Sequence, residues 1–348
     1  MEKICVIGHF AFGKKVYDGQ SIKTRNFVSA LVDAKGADSI WCIDTYGGIK
    51  RIHIILMKTI NAAFRCNNIV MLPAQNGLKF FGPFLFILNK IFGCKTHYVV
   101  IGGWLADYLK SNRLVDYCIK KFFQVYVETT NLKCRLESRG FNNVSILPNF
   151  KALKILNKED MNFERKKQYR LCIFSRIIEK KGIEVAVDVI KRINEKLNTN
   201  FFILDIYGHV DLDYQYRFDK LKNTFPKYIQ YCGSVDPDKS TDVLKNYDLL
   251  LFPTLFFTEG IPGTIIDAYS AGVPVLASKW ENWQDVIVNG ETGLVYDFGN
   301  DVQFEEKLIQ VFLKNENISK WKTWKCNCLD KCREYTPENA IRIFLDKI

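Results

Sequence analysis

Leu249-Leu250-Leu251-Phe252-Pro253-Thr254-Leu255-Phe256-Phe257-Thr258-Glu259-Gly260-Ile261-Pro262-Gly263-Thr264-Ile265-Ile266-Asp267-Ala268-Tyr269-Ser270-Ala271-Gly272-Val273-Pro274-Val275 spells out a buried strand, a loop, a helix from about Gly263 that stops at Gly272, and the start of another strand. Such an order puts the loop at the carboxyl end of a parallel sheet, where α/β folds bind ligands. Gly260 and Gly263 let the backbone approach a ligand closely, and the N–H groups opening the helix present partial positive charge to a phosphate. Glu259 and Asp267 can then accept hydrogen bonds from sugar hydroxyls on either side of that phosphate. An ordinary βα turn with Asp267 compensating the helix dipole accounts for the same spacing.

The same grammar extends in both directions. Strand-like runs occur at Ile4–Ile7, Ile40–Ile43, Ile69–Met71, Tyr98–Ile101, Gln124–Val127 and Val144–Leu147. A second set follows at Arg170–Phe174, Phe201–Tyr207, Ile229–Tyr231, Leu249–Phe252, Val275–Ala277 and Gly293–Val295. They are short, apolar on both faces and rich in β-branched or aromatic residues, as buried parallel strands are, and helical patterns such as Gly182–Leu197 and Asp242–Asn246 separate them. The expected fold class is therefore α/β, with two doubly wound Rossmann-like domains facing a cleft. The polar stretch from Lys151 to Arg170 reads as the connection, giving domains over 1–150 and 151–335. A helix over 336–348, capped by Thr336 with Pro337 at its first position, closes the chain and can cross back to the first domain.

With 348 residues there is material for about two cores of ordinary size. Apolar residues at 48% and charged residues at 25% exclude a disordered chain. The net charge of +11 is lopsided: residues 1–150 hold 20 Lys/Arg against 9 Asp/Glu, while 151–348 hold 29 of each. That basic first half suits an anionic membrane surface. The eleven cysteines are scattered and lie mostly in apolar runs, as reduced core thiols do, and Cys326, Cys328 and Cys332 lack the fourth ligand of a structural zinc site. Met1-Glu2-Lys3 leads straight into a strand, with no signal-peptide pattern. The apolar run Phe80–Leu88 is too short to span a bilayer, so it is either a buried element or, with Lys79 and the neighbouring phenylalanines, a membrane-surface segment. These features fit a cytoplasmic protein resting on the inner face of a membrane.

A second constellation, Phe174-Ser175-Arg176-Ile177-Ile178-Glu179-Lys180-Lys181-Gly182, follows the first strand of the second half. Arg176 and Lys181 can meet a diphosphate from two directions, and Gly182 keeps the turn tight.

Taken together, these residues resemble the retaining glycosyltransferases of family 4, which have the GT-B fold, and in particular those of capsule and surface-polysaccharide biosynthesis. The resemblance covers most of residues 165–300: the Ser175-Arg176…Lys181-Gly182 loop, Glu259-Gly260-Ile261-Pro262-Gly263-Thr264 leading to Asp267, Ala271-Gly272-Val273-Pro274-Val275, and Glu291-Thr292-Gly293-Leu294-Val295. The family's two acidic residues with seven between them are here Glu259 and Asp267, aspartate at the second being a departure. Upstream, Asp18-Gly19-Gln20-Ser21 resembles the glycine loop facing the donor phosphates, Leu147-Pro148-Asn149 the end of the first domain, and Tyr98–Leu105 the corresponding run of surface-polysaccharide relatives.

The resemblance implies a nucleotide-sugar donor of the UDP type and a lipid-linked glycan acceptor. In that scheme Arg176 and Lys181 neutralise the departing nucleoside diphosphate, and Glu259 holds hydroxyls of the transferred sugar. Asp267 holds the ribose, the amides around Gly263 and Thr264 hold phosphate, Gly260 and Ile261 are further substrate-binding positions, and backbone at Gly208 and Val235 holds the base. No metal or other cofactor is implied. Where some relatives place a histidine this chain has Gly102-Gly103, leaving His9 after the first strand as the polar acceptor contact, unless it is a core or solvated histidine. No nucleophile with an adjacent base is evident, which points to same-face substitution with the leaving phosphate taking the acceptor proton. Two competing readings are a GT-B nucleotide-sugar epimerase and a non-enzymatic nucleic-acid-binding module; no nucleic-acid-binding motif is present.

Overall fold

A computed structural model describes residues 3–14, 19–161, 163–164, 167–313 and 315–348. Met1, Glu2 and Asp18, quoted above, lie outside them. The chain divides into two units, Met1–Ala152 with Tyr335–Ile348, and Leu153–Glu334. The last fourteen residues thus belong with the first unit. Adding Lys151 and the balanced charges of the tail makes the first unit +12 and the second −1.

The first unit holds β1 (Ile4–Gly8), α1 (Gly19–Lys35), β2 (Ile40–Asp44), α2 (Ile52–Arg65), β3 (Asn68–Met71), α3 (Gln75–Phe92) and β4 (Lys95–Val99). It continues with α4 (Leu105–Lys110), α5 (Arg113–Lys120), β5 (Gln124–Val127), α6 (Thr130–Glu137) and β6 (Val144–Ile146). All strands are parallel, in the order β2-β1-β3-β4-β5-β6. The second unit holds β7 (Tyr169–Phe174), α7 (Ile183–Lys196), β8 (Phe202–Tyr207), α8 (Gln215–Lys222), β9 (Ile229–Gly233), α9 (Ser240–Leu244) and β10 (Leu249–Phe252). After these come α10 (Gly263–Ser270), β11 (Val275–Ser278), β12 (Gly293–Tyr296), α11 (Asp301–Leu313) and α12 (Asn315–Cys332). Its parallel sheet runs β12-β11-β10-β7-β8-β9, the Rossmann order, in which the chain reverses direction across the sheet between β7 and β10.

Both sheets are buried on both faces, which is why the strands read as continuous apolar runs. In the first unit Cys5, Ile7, Ile69 and Met71 pack toward residues of α2, α3 and α5. The alternate residues Ile4, Val6 and Val70 pack with Phe27 and Leu31 of α1 and with Ala340, Ile341 and Phe344 of α13 (Pro337–Leu345). That helix begins as expected, Thr336 Oγ1 accepting from Asn339 N at 3.4 Å with Pro337 at the first position. In the second unit Leu171, Ile173, Leu204 and Ile206 meet Ala186, Val187 and Ile190 of α7.

Several boundaries differ from expectation by one to three residues, two of them for a visible physical reason. Apolar patterning placed the fourth strand at Tyr98–Ile101, whereas β4 starts at Lys95 and ends at Val99. Its first half is polar yet internal: Thr96 and His97 are fully buried, and His97 Nε2 hydrogen-bonds Asn68 Oδ1 at 2.9 Å on the adjacent strand. The short helix expected at Asp242–Asn246 begins at Ser240, a turn of polar residues whose Ser240 and Thr241 hydroxyls are buried against α10. The run Phe80–Leu88 lies within α3, with Phe81, Leu85 and Leu88 buried and Phe80 and Ile87 exposed. Among the described residues no helix is long and apolar enough to cross a membrane.

His97 is a core histidine with a consequence for stability. Burial, with Lys95 beside it, pushes its imidazole from the ordinary 6.5 down to about 3. In the unfolded chain the ring gains a proton below about pH 6.5 that the folded chain refuses, so its contribution is present above that pH and is lost as pH falls from there toward 3. We expect stability to fall by about 2 kcal/mol between pH 7 and pH 5 on account of this group. Urea titrations of the wild type and His97→Gln should show a flatter acid limb in the variant; parallel limbs would contradict the assignment.

Candidate functional site

In a Rossmann sheet the ligand crevice opens at the carboxyl ends of the two strands flanking the reversal, here β7 and β10. The loop after β7 runs through Ser175 and Arg176 to a 3-10 turn, Glu179–Lys181, and then Gly182. Gly182 has φ +67°, and a Cβ added there would stand 1.9 Å from the Pro253 carbonyl oxygen, so the turn presses directly on the chain leaving β10. Leu255 N donates to Lys180 O at 2.8 Å and joins the two loops.

That stitching brings Lys181 and Glu259 together. Lys181 Nζ is ion-paired with Glu259 Oε1, both side chains being 15% exposed, and Thr254 Oγ1 donates to Glu259 Oε2 at 3.0 Å. Asn282 Nδ2 donates to Glu259 O at 2.7 Å and Trp280 Nε1 to Gly260 O at 3.3 Å, so side chains beyond β11 hold the acidic loop by its backbone. The result is a half-buried ammonium and carboxylate, each of whose charged ends can make further hydrogen bonds.

The start of α10 adjoins this pair. Gly260 and Ile261 are buried, Gly263 and Thr264 are half-buried, and Thr264 Oγ1 donates to the Phe174 carbonyl at the end of β7. Pro262 occupies the N-cap without a side-chain hydrogen bond, and while its carbonyl accepts from Ile265 N at 3.0 Å, the N–H groups of Gly263 and Thr264 polarise whatever lies in front of them. Asp267 lies one turn further in and is buried, 4% exposed; Ser240 Oγ donates to its Oδ1 at 3.0 Å.

Arg176 and Gly208 stand at neighbouring strand ends. Arg176 Nη2 bonds Asp211, whose carboxyl it holds below the usual carboxylate range, and the guanidinium side chain remains 59% exposed. Gly208 follows β8 with φ +143°, and a Cβ there would lie 1.7 Å from Ser175 O. Tyr231 OH donates to Gly208 O at 2.9 Å, and Val235 is half-buried just past β9. Arg176, Lys181, Gly208, Glu259 and Gly263 thus converge on the carboxyl ends of β7, β8 and β10, whereas Asp267 is turned into the packing against α9.

In the first unit His9 follows β1, half-buried, its ring 5.4 Å from that of Tyr46. Gly19 is the exposed first residue of α1. Two features there had no sequence signal. The Asp44 carboxylate accepts from the N–H groups of Phe10, Ala11, Phe12 and Tyr46 at 2.9–3.3 Å, fixing the loop after β1. Lys23 Nζ and Glu128 Oε1 form a buried ion pair at 2.5 Å, with Lys23 also donating to Val100 O at 3.1 Å. The pair spans 105 residues of sequence, as Asp211, Ser240 and Asn282 also act through partners distant in the chain that only the fold brings near.

Two Asp-x-Asp spacings, Asp211-Leu212-Asp213 and Asp236-Pro237-Asp238, follow β8 and β9, but Asp211 is committed to Arg176. Among the described residues no three His, Cys, Asp or Glu side chains come together in a way that could hold a metal ion. Cys328 and Cys332 of α12 are buried, and burial pushes the Cys332 thiol up to about 12.

Residues 156–324 match the family model described as Glycosyl transferases group 1. Among curated proteins the chain is 26% identical over 160 residues to the uncharacterized glycosyltransferase MJ1069 of Methanocaldococcus jannaschii, covering 44% of this chain and 38% of that protein. It is 24% identical over 132 residues to a glycogen synthase of Mycoplasma mobile, covering 36% and 27%. The chain therefore spans well under half the length of either. Among solved structures, the sucrose-phosphate synthase of Thermosynechococcus elongatus superposes with a TM-score of 0.75 at 15% identity, covering 99% of this chain and 97% of that one. HepE of Anabaena in complex with UDP gives 0.75 at 13% identity, covering 99% and 98%. In fold the chain is a GT-B protein of two Rossmann-like units, and its second unit carries the match to the group 1 glycosyl transferases.

Proposed function

We propose that the protein is a retaining glycosyltransferase that moves a hexose from a UDP-linked donor to a lipid-linked glycan in surface-polysaccharide assembly, at the inner face of a membrane. The observation that carries the reading is the Lys181–Glu259 pair at the β7–β10 reversal, beside the uncapped start of α10. On this reading the donor's diphosphate takes the Lys181 ammonium from Glu259, and Arg176 approaches from its neighbouring loop. The released Glu259 carboxylate, still held by Thr254, accepts from hydroxyls of the sugar. The acceptor hydroxyl attacks the anomeric carbon on the face from which the phosphate leaves. As the bond from that carbon to the phosphate oxygen breaks, the departing phosphate takes the hydroxyl proton, so configuration is kept. Cations and helix N–H groups aimed at the leaving oxygens stabilise the charge that develops there.

UDP bound to a related GT-B structure, and the match of residues 156–324, support a nucleotide-sugar donor. The test is thermal stabilisation by a panel of nucleotide sugars: a donor at 100 times its Kd should stabilise the folded chain by about 2.7 kcal/mol, raising Tm by several degrees. No shift with any uridine, guanosine or adenosine diphosphate sugar would contradict the reading, and release of an epimerised sugar without acceptor would point instead to an epimerase.

A further inference from the structure

From Thr45 to Ala106 the chain has 62 residues without a single Asp or Glu, yet with seven Lys or Arg. This segment folds into α2 and α3, which lie side by side on one face of the first sheet, and both carry an outward apolar stripe. On α2 the stripe is Met57, Ile60 and Phe64; on α3 it is Phe80, Ile87 and Ile91, with Phe92 at its end against Phe64, ring centroids 6.2 Å apart. The spacings of three, four and seven residues put each set on one side of its helix, away from the buried Ile55, Ala62, Leu78 and Leu85. Phe64 is 74% exposed and Ile91 65%. Exposed Lys58, Arg65, Lys79 and Lys90 border the stripes. The neighbouring acid on α5, Asp116, is already engaged by Lys120 and Arg139.

We propose that this α2–α3 face is a docking surface for an anionic lipid bilayer, its apolar stripes lying among the acyl chains and its cations at the headgroup phosphates. Charge selects the occupant. A second copy docking the same face on itself would set four cations against four with no acid between them, whereas an anionic bilayer supplies the missing charge over the whole face. Nucleic acid would supply charge but leave the phenylalanine and isoleucine side chains uncovered. The inference deepens the lipid-linked acceptor reading above, and the two can fail separately: vesicle binding involves no sugar transfer.

The experiment is cosedimentation of the full chain with phosphatidylcholine vesicles, with and without phosphatidylglycerol, at about 0.15 M salt. The wild type should bind the anionic vesicles and release them as salt rises. Lys58→Gln/Arg65→Gln/Lys90→Gln should weaken binding about 100-fold, from about 1 kcal/mol per cation near the surface. Ile60→Ser/Phe64→Ser/Ile91→Ser should weaken it by at least about 10-fold. Both variants should keep the wild-type circular dichroism and any nucleotide-dependent rise in Tm. Equal binding by wild type and variants would overturn the proposal. So would absence of vesicle binding together with a dimer in light scattering that the serine variant disperses.

Discussion

Lys181→Ala is expected to lower kcat/KM for the donor sugar by about 10²–10³, the loss typical of removing one preorganised charge from a developing anion. The site's geometry explains why the effect should fall on turnover rather than folding. Lys181 is half-buried in the 3-10 turn after β7, its Nζ already meets Glu259, and no other side chain among the described residues depends on it for a hydrogen bond. Glu259→Gln should give a loss of similar size for a different reason. The amide keeps the size and can accept from Thr254, but it cannot hold sugar hydroxyls with a full negative charge. Kinetics on both variants, with urea unfolding as a control, separate the roles. Near-wild-type turnover in either would remove that residue from the machinery, and loss through unfolding alone would show in the control.

The second large effect concerns backbone. Gly182→Ala and Gly208→Ala should each destabilise the second unit by at least about 3 kcal/mol or prevent its folding. At both positions φ is positive, +67° and +143°, and the added Cβ would stand 1.9 Å from Pro253 O or 1.7 Å from Ser175 O. Backbone atoms of strand-end loops cannot move aside without dragging the Lys180–Leu255 and Ile177–His209 hydrogen bonds with them. Gly19→Ala is the control: it opens α1, an added Cβ meets nothing within 4 Å among the described residues, and alanine should leave stability unchanged or raise it by up to about 1 kcal/mol. Chemical unfolding of the three variants tests the contrast. A Gly182→Ala protein as stable as Gly19→Ala would mean that the turn is not packed as described.

Much of this architecture was legible because burial on both faces writes itself as an unbroken apolar run. Leu249–Phe252 and Gln124–Val127 coincide with their strands for that reason. Lys95, Thr96 and His97 escaped because a polar strand interior looks like a loop until its partner, Asn68, is known. The site divides in the same way. Lys181 and Glu259 were legible as types of residue at loop positions, but their contact was not, since it depends on β7 and β10 being neighbours. Asp267 was likewise legible as an acidic residue at a helix start, but its hydrogen bond from Ser240, on a helix that carried no motif, was not. Asp44 gathers four backbone N–H groups, a role no motif encodes, because it exists only once β2 lies beside β1.

The central claim, transfer from a nucleotide sugar with retained configuration, is tested most directly by following the purified protein with UDP-sugars and a membrane lipid extract in proton NMR. The prediction is that UDP is released together with a glycoside, or slowly a free sugar, whose first-formed anomeric signal has the donor's configuration. A first-formed anomer of opposite configuration, or no release of UDP from any donor, would contradict it.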